Sequence, residues 1–360
     1  MITIDQQIEA IQKEVRETPY HKGTEHHIGK LRARIARLKD KALDSQIKAG
    51  GGGGGGGYAV KKHGDATVIL IGPPSAGKST LINRLTNAQS RVAAYSFTTV
   101  SVIPGMMEYK NARIQILDVP GLIEGSEEGK GRGKEVLSVA RGADLIVFMT
   151  DVNRISTINT LRDALERNGI RINSIKPRVK IEKKIQGGIS ILSNIKQDLS
   201  KDTLKDIAIE MGIKNGDISI NEKITIDRLI DSFSTNRVYV PAIFVVNKSD
   251  TKNLKAKDID NRYIYISAEK GTNIELLKEK IWESLDFVEI YLVAENEEPG
   301  FNHPMIIKST ETLHDIALTI GTNFAENKKS AKVWGKGAKF PGQEVSLSAP
   351  VHDGTQVRFI

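Results

Sequence analysis

The run Ala66-Thr-Val-Ile-Leu-Ile71, followed at once by Gly72-Pro-Pro-Ser-Ala-Gly-Lys-Ser79, leaves this chain fewer folds than any other stretch of it. A short apolar run without polar alternation reads as a strand buried on both faces, which is the habit of parallel sheets. Gly72, Gly77, Lys78 and Ser79 match Gly-x4-Gly-Lys-[Ser/Thr]. In that pattern the glycines let successive backbone N–H groups curl round a phosphate, and the N-terminus of the following helix adds positive potential. Lys78 can reach the β and γ oxygens, and the Ser79 hydroxyl can complete a magnesium shell. Pro73, Pro74, Ser75 and Ala76 make the rest of the loop, and Thr80 follows in the first helical turn.

Four more short apolar runs have the length of strands: Ile114–Leu117, Leu145–Phe148, Ala242–Val246 and Tyr263–Ile266. With the helical stretches between them they predict an α/β fold with a mainly parallel sheet covered on both faces. Asp118 ends the second run and faces the metal side of such a site, and Gly121, in Asp118-Val-Pro-Gly121, can offer its N–H to a γ-phosphate. Thr99, preferred to Thr98, lies in a loop able to close on the metal when a γ-phosphate is present. Asn247-Lys-Ser-Asp250 follows the fourth run. Asp250 can accept from the ring N–H and exocyclic amine of guanine together, a pair adenine does not offer. The Asn247 amide can meet the far edge of the base, and the Lys248 stem can cover its face. In Ser267-Ala268-Glu269 the Ala268 N–H can touch the guanine carbonyl.

The interval from Asp151 to Val238 is too long for one strand-to-strand connection and predicts an inserted small α+β subdomain. Upstream, Ile4, Ile8, Ile11 and Val15, then Ile28, Leu31, Ile35 and Leu38, recur at helical spacing either side of a break at Thr18–Gly23, giving a helical hairpin. Its second helix carries Lys30, Arg32, Arg34 and Arg37, read either as a surface for a phosphate-rich RNA or as a basic face on a hairpin packed against its neighbour. Lys176, Arg178, Lys180, Lys183 and Lys184 have the same two readings. The run Gly50–Gly57 cannot hold a regular element and reads as a joint or loop. The chain after Val288 predicts a compact β-rich module, with Val288–Val293 as an alternating strand and Gln356–Ile360 as the closing one. The histidines lack metal-site spacing, and Trp334 and Phe340 read as packing residues.

The 360 residues carry a net charge of +8, which leans toward a polyanionic partner. The absence of cysteine excludes disulfides and thiolate metal sites and suits a reducing cytoplasm. No apolar run approaches the roughly 18 residues a membrane span needs, so a cytoplasmic protein without a membrane role is expected.

Taken together in this order, these motifs resemble the translation-factor-related P-loop GTPases. Tyr95-Ser-Phe-Thr-Thr99, Asp118-Val-Pro-Gly-Leu-Ile-Glu-Gly125, Gly129-Lys-Gly-Arg-Gly-Lys134 and Ala140-Arg-Gly-Ala-Asp144 narrow the resemblance to the Obg-related class, and within it to the DRG (developmentally regulated GTP-binding protein) family of archaea and eukaryotes, in its archaeal type. Thr18–His27, Gly64–Thr67 and Asn236–Pro241 carry the same likeness. It implies a helix-turn-helix-like hairpin and glycine linker at 1–57, a GTPase domain at 58–287, an S5D2-like α+β insertion at 153–236 and a C-terminal TGS β-grasp domain at 288–360. It further implies GTP and GDP as ligands, magnesium held by Ser79, Thr99 and Asp118, and catalysis resting on Lys78, Thr99 and Gly121. Work at ribosomes or on RNA, with an accessory DRG-family regulatory protein, is implied in the same way; the oligomeric state is not.

Leu122 stands where small signalling GTPases carry a water-orienting glutamine, so slow unaided hydrolysis is expected. Some relatives hold potassium with a phosphate-loop Asn, here Ser75, which leaves potassium an open candidate. The segment Gly125–Lys134 reads as a mobile arm or a solvated loop. The alternative to a GTP-hydrolysing switch is an RNA-binding or scaffold module in which nucleotide is mainly structural; an ATPase is a third reading.

Overall fold

The computed structural model describes residues 3–49, 63–86, 103–119, 132–251 and 260–360. Thr98, Thr99, Gly121, Leu122, the Gly50–Gly57 run and residues 125–131 of the Gly125–Lys134 segment lie outside those residues. The chain divides into two compact units, Met1–Gly57 with Gly169–Tyr239, and Tyr58–Asn168 with Val240–Ile360.

The first unit opens with α1 (Ile4–Glu17) and α2 (Glu25–Ala49). A capping box starts α1, Thr3 accepting from the Gln6 N–H while the Gln6 side chain accepts from the Thr3 N–H. Ile28 and Leu31 of α2 are buried as their spacing predicts, but so are Ala33 and Ala36 on another face. That second face packs on α6 (Lys201–Glu210), close enough that a Cβ on Gly29 would sit 3.1 Å from Ile207 Cδ1. The cations of α2 meet acids of the same unit: Lys30 pairs with Asp206 at 3.3 Å, Arg32 with Asp227 at 3.0 Å, and Arg37 donates to the Glu210 carbonyl at 3.0 Å. These residues of the basic face therefore pack on a neighbour, and the neighbour is the inserted segment.

That segment forms a three-stranded sheet, β6 (Val179–Lys183), β8 (Gly216–Ile220) and β7 (Ile189–Ser193) in that order, β8 antiparallel to β6 and parallel to β7. Ile218 and Ile220 face α6 and α7 (Ile226–Phe233), while Lys180, Glu182, Ser190 and Leu192 lie exposed. The chain enters and leaves through two paired strands, β5 (Ile170–Ile172) and β9 (Val238–Val240). Beside them the Arg237 side chain, almost wholly buried, joins Asp40 of α2 at 3.1 Å to Asp231 of α7 at 2.8 Å, and Arg171 grips Asp231 at 2.6 Å.

The second unit is built on β1 (Ala66–Ile71), β2 (Ile103–Tyr109), β3 (Ala112–Asp118), β4 (Leu145–Asp151), β10 (Ala242–Asn247) and β11 (Ile264–Tyr265). Their order is β11-β10-β4-β1-β3-β2, parallel throughout except for the edge pair β2–β3. Every residue of β1 and β4 is buried, as unalternating apolar runs require. Four helices belong with it: α3 (Lys78–Leu85), α4 (Arg132–Gly142), α5 (Thr157–Arg167) and α8 (Ile274–Ser284). Helix α5, which the expected insertion bounds include, packs on β4, and the first unit accordingly resumes only at Gly169.

After α8 comes a five-stranded sheet, β13 (Pro304–Lys308), β12 (Phe287–Leu292), β16 (Gln356–Phe359), β14 (Ser330–Trp334) and β15 (Gln343–Ser346) in spatial order, with α9 (Leu313–Ile320) and α10 (Thr322–Glu326). The closing strand β16 lies centrally, parallel to β12 and antiparallel to β14. The alternation expected of Val288–Val293 holds for Val288, Ile290 and Leu292, which share the core of the five-stranded sheet. Phe287 packs edge-on to Trp282 in the core of the parallel sheet, while Ile290 enters the core of the five-stranded one.

Candidate nucleotide site

The sequence-predicted residues that are described gather at the C-terminal ends of β1, β3, β10 and β11, the edge where open α/β sheets bind ligands. The loop glycines have steric reasons. A Cβ at Gly72 would lie 2.0 Å from the Met149 carbonyl oxygen of β4, and one at Gly77 would lie 2.3 Å from Asn247 Nδ2 with φ at +94°. Ser75 also takes the left-handed region, at φ +58°.

Five successive loop carbonyls are each held by a side chain. Lys78 Nζ donates to Gly72 O at 3.0 Å and Pro73 O at 3.2 Å. Arg154 Nη2 donates to Pro74 O at 3.0 Å, Lys248 Nζ to Ser75 O at 2.8 Å, and Asn247 Nδ2 to Ala76 O at 2.9 Å. The loop's acceptors are thus satisfied by side chains, while α3 begins with N–H groups that have no intrahelical partner. Carbonyls already engaged and a helix N-terminus behind them make a cradle for an anion.

Asp118 stands at the end of β3, 6% exposed. Its Oδ2 accepts from Ser79 Oγ at 3.1 Å. Its Oδ1 lies 4.0 Å from Lys78 Nζ and is buried with no hydrogen-bond donor among the described residues. Burial pushes the carboxyl pKa above the ordinary range, with Lys78 and then the Ser79 hydroxyl pulling it back. A buried carboxylate oxygen lacking a donor, beside a hydroxyl, fits a hard divalent cation.

On the base side, Asn247 is 3% exposed and both its polar atoms are occupied. Oδ1 accepts from the Ala268 N–H at 2.9 Å while Nδ2 serves Ala76. Instead of standing free for a base, the side chain ties the phosphate loop to the Ser267–Glu269 loop, with one amide hydrogen to spare. Lys248, at φ +59°, likewise bridges to the phosphate loop. Asp250 is held charged below the usual carboxylate range, first by the Ser267 hydroxyl and also by Lys270, whose Nζ is 3.2 Å away.

Two residues in this arrangement escaped sequence reasoning. Arg154 grips Asp151 at 2.6 Å and reaches the Pro74 carbonyl with the same Nη2. Arg154 lowers the pKa of Asp151 against the raising effect of burial. An arginine three residues beyond an aspartate at a strand end was the available signal. Arg84, in the last turn of α3, reaches the carbonyls of Ala268 and Glu269. Nothing local announces it, because its partners lie more than 180 residues away.

Residues 67–183 match a family described as 50S ribosome-binding GTPase, and residues 186–287 match one described as the C-terminal region of MMR_HSR1 domain. An uncharacterized GTP-binding protein of Methanocaldococcus jannaschii is 45% identical, over 98% of this chain and 91% of that one. Developmentally-regulated G-protein 3 of Arabidopsis thaliana is 39% identical over 100% and 99% of the two chains, and developmentally-regulated GTP-binding protein 1 of Xenopus laevis is 38% identical over 98% of each. Likeness of this extent, over a phosphate cradle and a base loop joined by Asn247, makes this chain a member of the developmentally regulated GTP-binding protein family of P-loop GTPases.

Proposed function

We propose that this protein hydrolyses GTP to GDP and phosphate and uses the change of nucleotide as a switch at the ribosome. The observation that carries the hydrolytic reading is the Lys78–Ser79–Asp118 cluster, where a buried carboxylate oxygen without a donor among the described residues lies 4.0 Å from the lysine that closes the phosphate loop. Lys78 leaves the Gly72 and Pro73 carbonyls for the β and γ oxygens, and the loop and α3 N–H groups take the β-phosphate. Ser79 and Asp118 hold magnesium, with Thr99 as the further ligand. When bound, the ion neutralises charge developing between the β and γ phosphates. Gly121 offers its N–H to the γ-phosphate. Asp250 reads the ring N–H and amine of guanine, and the Ser267–Glu269 loop meets its carbonyl. Leu122 stands in sequence where small signalling GTPases carry a water-orienting glutamine and has no group to hold water, so unaided turnover is slow and depends on a partner or on potassium.

The ribosomal reading rests on the description of the family that residues 67–183 match. The exposed Lys176, Arg178 and Lys183 of the inserted segment offer it cationic surface, although Arg178 also leans on Glu222 at 3.9 Å. The five-stranded sheet is read as a TGS β-grasp domain and the inserted strands as S5D2-like. An accessory regulatory protein and a cytoplasmic location complete the proposal. Among the described residues no helix is long and apolar enough to cross a membrane.

The test is GTP turnover with and without ribosomes, in potassium and in sodium buffers. Turnover raised by ribosomes is expected. Release of phosphate at the protein-free rate under all four conditions would sink the enzymatic reading.

A further inference from the structure

We propose that Arg84 is a specificity-determining positioning residue, which aims the Glu269 N–H of the Ser267–Glu269 loop at the 6-oxo group of guanine. This rests on the reading of that loop as the base-carbonyl site.

The guanidinium takes two successive carbonyls. Nε donates to Ala268 O at 3.2 Å and Nη2 to Glu269 O at 2.5 Å. A trans peptide sets its C=O and N–H on opposite sides, so gripping Ala268 O turns the Glu269 N–H away from the guanidinium, and gripping Glu269 O does the same for the Lys270 N–H. The second of these is already committed, since the Lys270 N–H donates to Ser267 Oγ at 3.1 Å. On the other side the Ala268 N–H is anchored at 2.9 Å on Asn247 Oδ1. The two peptides flanking Ala268 are therefore fixed from two directions, by Asn247 and by Arg84, and the Glu269 N–H is presented without freedom to swing.

The rest of the loop is held by its own hydrogen bonds, the Ser267 N–H donating to Thr272 O at 3.2 Å. Its turn is closed by Gly271 N–H to Ser267 O at 2.8 Å and Thr272 N–H to the same oxygen at 3.1 Å, both downstream of the donor in question. Arg84 comes from the last turn of the helix whose first turn carries Lys78 and Ser79. One helix thus supports the phosphate cradle at its start and the base loop in its last turn. The guanidinium takes the two carbonyls with two separate nitrogens fixed in one plane, where a lysine would offer a single Nζ.

The experiment measures affinities of the intact chain, and of its Arg84→Met and Arg84→Lys variants, for GDP, 6-thioguanosine diphosphate and xanthosine diphosphate. The thio analogue keeps the ring N–H and amine but offers a poor acceptor at position 6; the xanthine analogue keeps the 6-oxo and alters the group Asp250 reads. Arg84→Met should shrink the preference for GDP over the thio analogue about fivefold, the loss of one charge-assisted anchor at an exposed site. It should leave the preference over xanthosine diphosphate within about twofold. Arg84→Lys should fall between the two. Equal weakening of all three ligands, or no change in the thio preference, overturns the inference while leaving the base loop's role standing. A parent protein indifferent to oxygen or sulfur at position 6 overturns both.

Discussion

Replacing Asn247 by alanine separates a scaffold role from a base-reading role, because the two predict different behaviour without nucleotide. The side chain is 3% exposed and satisfies two backbone groups on different loops, Ala76 O and the Ala268 N–H, each at 2.9 Å. Alanine leaves both without a partner, and an unsatisfied buried backbone group costs about 1–3 kcal/mol. Water entering the space of the lost amide recovers part of this, so about 2–4 kcal/mol in total is expected. With a urea dependence of about 1–3 kcal/mol per molar, the unfolding midpoint of the nucleotide-free protein should fall by about 1–2 M. Trp282, packed between Tyr109 and Phe287 in the affected core, supplies a fluorescence signal for the transition. Asn247→Asp should be damaging too, since it keeps an acceptor for the Ala268 N–H but sets a carboxylate against the Ala76 carbonyl. A nucleotide-free midpoint unchanged within about 0.3 M, together with a large loss of guanine-nucleotide affinity, would refute the reasoning, since it would mean that the amide serves the base and not the loops.

Asp118→Asn tests the buried carboxylate through pH. Because burial raises its folded pKa above the unfolded value, the folded state holds the proton longer, and stability falls as pH rises from the ordinary carboxylate range through the folded value. The asparagine variant should therefore melt higher than the parent at neutral pH without nucleotide, lose that advantage below about pH 4, and bind GTP less tightly in magnesium. Gly72→Ala should cost several kcal/mol, on the order of a severe core mutation, because its Cβ meets the Met149 carbonyl oxygen and carbon at 2.0 and 3.0 Å and both partners are backbone of a buried strand; a soluble variant melting like the parent would count against so close an approach of the phosphate loop to β4. Asp250→Asn should move nucleotide preference from guanine toward xanthine in a competition assay, and an unaltered preference would remove Asp250 from the base-reading role.

What could be read from the sequence was local in the chain. The strand–loop–helix at Ala66–Leu85 declares itself within twenty residues, as does the strand ending in Asn247–Asp250, since hydrophobic runs and glycine spacing act over short range. The Ile/Leu stripe of α2 was legible for the same reason. Its second buried face was not, because Gly29, Ala33 and Ala36 carry little hydrophobic signal and matter by being small enough for α6 to approach. The roles of Arg84, Arg154 and Asn247 were hidden for a different cause, since each acts on a carbonyl or N–H that any residue would present, and backbone partners leave no mark on composition.

This reliance on backbone contacts explains how the nucleotide site accommodates a long insertion in the chain between its two halves. Asp151, which holds Arg154, and Asn247 are register partners on β4 and β10, so the braces on Pro74 and Ala76 sit at the ends of adjacent strands. Their juxtaposition is fixed by the β4–β10 ladder, whatever the chain does between them. The inserted segment leaves and returns through β5 and β9, whose pairing brings its ends together. Closing an already paired loop adds entropy that grows only with the logarithm of its length. The insertion can therefore be long, folded and occupied with its own contacts to α2 without loosening the phosphate cradle, because no carbonyl of that cradle takes its brace from within it.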